Sequence, residues 1–123
     1  MLDSCDVVAF VATAKPAEAR RFYEGVLGLR FVGEDPFGLS FDANGTEVRI
    51  PKLEAVTPVP FTVLGWKVPD VSDAIRELAG RGVAFERYPG MEQDDDGAWR
   101  SPGGGKVAWF KDPDGNVLSL SGS

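Results

Sequence analysis

Hydrophobic and polar positions along the chain follow two alternating rhythms. Residues 5–13, CDVVAFVAT, are a β-branched and aromatic run that predicts a buried strand. In AKPAEARRFYEGVLGLRFV the rhythm changes. Ala19, Phe22, Tyr23, Val26 and Leu27 recur at helical spacing and make one apolar stripe. Pro16 suits the first turn of that helix, and Gly28 fits a left-handed residue that closes it. LRFVGE, PFGLSFDA and TEVRIPKL then read as strands. The last two are joined through DANGT, a hairpin signal centred on Asn44-Gly45.

Residues 53–60, LEAVTPVP, form a Pro-containing linker, after which the order of elements restarts. FTVLGWKV, 61–68, predicts a strand. PDVSDAIRELAGRGV predicts a helix that starts at Pro69 and Asp70, carries Val71, Ala74, Ile75, Leu78 and Ala79 as its stripe, and ends at Gly80 and Gly82. AFERYP reads as a strand. GMEQDDDGAWRSPGGGK reads as a long loop with a short strand at Ala98 to Arg100. KVAWFKD and NVLSLS make a closing hairpin. Strand–helix–strand–strand–strand therefore occurs twice, over about 5–52 and 61–121, within one domain spanning 1–123. One helix cannot cover both faces of a sheet of that size. The expected fold is α+β: two βαβββ modules forming a curved mixed sheet around a cleft, with the helices outside.

Composition narrows the function. At 123 residues, with 26% charged and 43% hydrophobic side chains, the chain suits a single globular domain. No apolar run is long enough to cross a membrane as a helix. MLDSCDVVAF has neither a basic n-region nor an apolar h-region, so the expected compartment is the cytoplasm. A net charge of −6 without a basic patch opposes nucleic-acid binding. The chain has no histidine, which removes Ser-His-Asp and Cys-His catalysis and any His-ligated zinc, iron or copper. Cys5 is alone and cannot build a disulfide within the chain or a multi-cysteine zinc site. An oxygen-only site stays open in principle. However, Asp94, Asp95, Asp96 and Gly97 lack the alternating spacing of a calcium loop and read as a solvated acidic loop. SPGGGK, 101–106, lacks the spacing of a phosphate-cradling loop and leads into a strand.

FYEGVLGLRFV, GWKVPDVSDAIRELAGRGVAF and VAWFKDPDGNVLSL together resemble the glyoxalase/bleomycin-resistance/extradiol-dioxygenase superfamily, the vicinal oxygen chelate proteins. The most specific parts are Phe22-Tyr23 followed by Leu27-Gly28, and Asp112-Pro-Asp-Gly-Asn116 before the last strand. The resemblance covers nearly the whole chain. It implies paired βαβββ modules, frequent dimers and a site under the curved sheet. Metal enzymes of the superfamily take His or Glu from the first strand of each module and Glu from the last. Carried over position by position, those ligands fall on Val8, Val63, Ser119 and, of Glu47 and Arg49, preferably Arg49. Valine, serine and arginine in those places imply a metal-ligand-deficient member, with neither metal nor cofactor.

Several residues then become candidates for ligand contact. Ser119 alternates with Leu118 and Leu120, so it faces either a cavity or nothing in particular. Phe10 shares the face of Val8, and Phe61 that of Val63; they either line an apolar pocket or plug it. Arg49 either anchors an anionic ligand or pairs with a nearby carboxylate. Trp66 has the parity of the helix side and belongs to the core. Trp99, on a loop, and Trp109, of open register, are candidates for stacking on a ligand. The preferred reading is a metal-independent binding protein for a small molecule, of the antibiotic-binding kind, acting as a homodimer. Antibiotic-binding relatives hold flat cationic compounds with aromatic side chains. The alternatives are a glyoxalase-like lyase or related enzyme with a non-standard site, and a ligand-free dimerising or regulatory module.

Overall fold

A computed structural model describes all residues, Met1–Ser123. The chain divides into two compact units, Met1–Thr57 and Pro58–Ser123. Each holds one four-stranded mixed sheet, and the fold is α+β as expected. No helix is long and apolar enough to cross a membrane.

In the first unit, β1 (Val8–Phe10) is followed by α1 (Pro16–Arg20) and a π-helical stretch (Arg21–Val26), then β2 (Arg30–Asp35), β3 (Gly38–Ala43) and β4 (Thr46–Pro51). The sheet order is β1-β4-β3-β2, with β1 parallel to β4 and the other pairs antiparallel. The helical stripe works as its spacing implies: Ala19 and Tyr23 are buried, and Tyr23 meets Phe41 at 6.0 Å between ring centres. Gly28 is left-handed at φ +77, as its place after the helix predicts. Asn44 (φ +50) and Gly45 (φ +92) are both left-handed, the geometry that the hairpin between β3 and β4 demands. The first strand is shorter than its hydrophobic run. Regular pairing covers only Val8–Phe10, and the chain rejoins β4's line at a single bridge from Thr13 to Lys52.

The second unit contains β5 (Thr62–Val68), α2 (Val71–Gly80), β6 (Trp99–Arg100), β7 (Lys106–Lys111) and β8 (Val117–Gly122), with sheet order β5-β8-β7-β6. Asp70 caps α2 by accepting the Asp73 N–H at 2.9 Å, and the helix buries Val71 and Ile75 against the sheet. Trp66 lies on the helix side as expected, half-buried and stacked on the buried Phe110 at 6.5 Å. AFERYP is not a strand. It touches β7 through one bridge, Phe85 to Phe110, and one further backbone bond, Glu86 N–H to the Trp109 carbonyl. The reason lies in the Gln93 side chain. Its amide donates to the carbonyls of Glu86 and Gly97 and accepts the Tyr88 N–H, which satisfies backbone groups that a neighbouring strand would otherwise serve.

Candidate functional site

Each sheet has one packed face and one open face, and the candidates lie mainly on the open ones. In the first unit, Val48 and Ile50 are buried, as expected for the helix side. The register pairs Val8 with Glu47 and Phe10 with Arg49, placing all of them on the opposite face. Phe10 is 64% exposed there. Arg49 is already engaged. Its Nη2 stands 3.0 Å from both carboxylate oxygens of Asp35, and its Nη1 donates to Ser40 Oγ at 2.9 Å. Asp35 also accepts the backbone N–H groups of Phe37 and Gly38. Hydrogen bonding from Arg49, more than any other influence, holds the Asp35 carboxyl below its ordinary value. Arg49 is therefore paired with a nearby carboxylate, and that carboxylate is Asp35. Gly38 leaves room for it: a β-carbon there would sit 3.1 Å from Arg49 Cζ and 2.6 Å from the Ile50 carbonyl oxygen.

In the second unit the open face is aromatic. Ser119 pairs with Trp109 on one side and Gly65 on the other, while Leu118 and Leu120 point into the core. This resolves the register of Trp109: it shares the face of Ser119. Trp99 pairs with Val107 next along β7, and its ring lies 6.2 Å from that of Trp109. Tyr88 closes the cluster, edge-on to Trp109 at 5.6 Å and 80°. Burial first, with the Glu86 carboxylate adding to it, pushes the Tyr88 phenol above its ordinary value; Lys111 opposes.

A cavity of about 380 Å³ opens on this face, lined by Pro60, Phe61, Thr62, Tyr88, Met91, Trp109 and Val117. An adjoining space of about 290 Å³ shares Pro60, Tyr88 and Val117 and adds Pro58, Val59, Lys111 and Gly115. Trp99, Trp109 and Ser119 are thus brought onto one surface, and Phe61 meets Trp109 across the larger cavity. Sequence reasoning missed Tyr88 because it sat inside an expected strand. It also missed the prolines of the linker, which form one wall. Their signal was available: two prolines within three residues stiffen a segment enough to serve as a wall.

The metal positions implied by resemblance carry two alkyl groups, a guanidinium held by Asp35 and a hydroxyl. That donor set does not fit a divalent cation. No group of three or more Cys, Asp or Glu side chains gathers elsewhere in a way that could hold one.

The family model described as Glyoxalase/Bleomycin resistance protein/Dioxygenase superfamily matches residues 5–120. A crystal structure of a member of that superfamily from Sphaerobacter thermophilus DSM 20745 is similar at 25% identity, with a TM-score of 0.74 and 100% of each chain covered. A lactoylglutathione lyase from Agrobacterium tumefaciens is similar in fold at 17% identity and a TM-score of 0.74, with 98% of this chain and 94% of that one covered. A glyoxalase family protein from Enterococcus faecalis is similar at 22% identity and a TM-score of 0.68, with 94% of each covered. No protein of curated function matches the chain.

Proposed function

The chain belongs to the Glyoxalase/Bleomycin resistance protein/Dioxygenase superfamily, and from that premise we propose that it is a metal-independent binding protein for a flat, aromatic small molecule. The observation that supports this reading is the Tyr88–Trp109–Trp99 cluster beside the cavity lined by Phe61, Met91 and Trp109. Aromatic faces and a thioether suit planar, polarisable ligands, and each ring contact is worth roughly 0.5–1.5 kcal/mol beyond area burial. Ser119, next to Trp109 in register, supplies a hydroxyl that can orient a ligand without gripping a cation. The same reading takes the chain as a cytoplasmic homodimer that needs no cofactor; light scattering in solution checks the assembly.

The test is a titration of the protein's tryptophan fluorescence with a panel of cationic, neutral and anionic aromatic compounds, bleomycin-type antibiotics included. Saturable quenching is expected. Trp109→Ala should weaken the best binder about tenfold, the equivalent of ~1.4 kcal/mol. Flat titrations across the panel would remove the reading. Elemental analysis separates it from the lyase-like alternative: a stoichiometric divalent ion in protein purified without chelator would favour the enzyme.

A further inference from the structure

We propose that the ligand of the second unit is an aromatic or otherwise flat apolar acid whose anionic group is held by Lys111; this rests on the binding function above and narrows it. The two adjoining cavities share Pro60, Tyr88 and Val117 and make one groove. Its lining is Pro, Val, Phe, Met, Trp, Tyr, Thr and Gly, and the sole charged side chain in it is Lys111. Lys111 pairs in register with Val117, so it projects on the same face as Trp109 and Ser119.

The Lys111 side chain is half-exposed and that of its partner Glu86 partly exposed, and their pair is long at 3.4 Å. An ion pair so open to water contributes little, so exchanging or sharing it with a ligand anion costs little. Glu86 does not line the groove. A ligand lying in the groove therefore meets Lys111 directly, with the Glu86 carboxylate beside it as the ammonium's present partner. The remaining polar groups agree. The Tyr88 phenol lines both spaces and stays protonated through the physiological range, since burial raises its pKa, and so it can donate a hydrogen bond to an acid's oxygen. A cationic ligand would meet the Lys111 ammonium in the lining and no lining carboxylate, whatever the chain's overall charge of −6.

The experiment compares three probes of one ring system by tryptophan fluorescence: naphthoate, naphthamide and naphthylmethylammonium. Naphthoate is expected to bind about tenfold more tightly than the ammonium probe, and its affinity should fall as salt is raised. Lys111→Met should weaken naphthoate about fivefold to tenfold and leave naphthamide unchanged, as expected for a lost charge contact of ordinary strength. Lys111→Glu should reverse the order of the two charged probes. Lys111 is exposed, so neither variant threatens folding. Equal binding of all three probes, or a Lys111→Met protein that keeps full naphthoate affinity, overturns the acid preference while leaving an aromatic-binding site. Failure of every probe to bind overturns both readings.

Discussion

Ser119 is uncovered on one side because its register partner across the parallel strands is Gly65; a β-carbon there would stand 2.9 Å from Ser119 Oγ. The first unit holds a similar vacancy at Gly38, but there the nearest atom is the Ile50 carbonyl oxygen at 2.6 Å. A hydroxyl can rotate away, whereas backbone inside a sheet cannot. Gly65→Ala should therefore change stability by less than about 1 kcal/mol, helped by the better strand propensity of alanine. Gly38→Ala should cost about 2–3 kcal/mol through overpacking. Urea midpoints of the two variants check the contrast, and a larger loss in Gly65→Ala would contradict it.

The parts of this fold that were legible in the sequence are those where one residue type answers one backbone demand. Asn44-Gly45 and Gly28 are such cases, because left-handed φ values select Asn and Gly strongly. Trp66 was legible because β5 alternates without a break from Leu64 onward, past its register shift between Thr62 and Leu64, and leaves Trp66 one side to face. Parity failed where the chain was interrupted. The register shifts between Phe31 and Gly33, so alternation along β2 gave no hint that Asp35 would reach Arg49. AFERYP has a strand's composition, yet a glutamine several residues later takes up its backbone groups. That substitution of side chain for strand has no local sequence signal. The face of Trp109 waited on the loop before it, and Tyr88 joined the cluster only through that loop's path.

The Asp35–Arg49 pair carries a pH signature. Asp35 has a folded-state pKa held below its ordinary value of 3.8, chiefly by Arg49. A carboxyl depressed in the folded state contributes stability above its unfolded pKa and loses it as pH falls through the folded value. Wild-type protein should thus lose urea resistance as pH falls below about 4, over and above the general acid effect. Asp35→Asn keeps an acceptor for the Phe37 and Gly38 N–H groups but drops the charge. Its urea midpoint should lie below wild type at about pH 6 and approach it as pH falls below about 4. A gap between the two that does not narrow with acid would refute the assignment.

Gln93 should matter far more than a loop residue of its kind. Its amide donates to the Glu86 and Gly97 carbonyls at 2.9 and 2.8 Å and accepts the Tyr88 N–H at 2.8 Å. Gln93→Ala leaves those partners unmet and is expected to cost about 1–3 kcal/mol. Gln93→Glu should be at least as damaging, because it sets carboxylate oxygens against two carbonyls. Tyr88 rests edge-on to Trp109, so near-ultraviolet circular dichroism should lose intensity in both variants. An unchanged spectrum with unchanged stability would show that the loop holds itself by other means.

The turn between β7 and β8 links the superfamily's most specific motif to the groove. Asp112 is buried. Its Oδ1 accepts the N–H groups of Asp114 and Asn116, and its Oδ2 accepts Asn116 Nδ2, each at 2.9 Å. This shape holds Gly115 at φ +88, where a β-carbon would stand 3.1 Å from Pro58 Cγ. Pro58 and Gly115 both line the groove beside Lys111. Asp112→Ala should cost about 1–3 kcal/mol by orphaning its donors. Gly115→Ala should cost about 1–2 kcal/mol from the left-handed strain alone, and should also displace Pro58. The groove then separates the two variants' effects from simple instability. At a temperature where both remain folded, each should bind naphthoate more weakly than wild type, since the wall that faces Lys111 has moved. Retained affinity in a destabilised variant would mean that the turn supports the sheet without shaping the site.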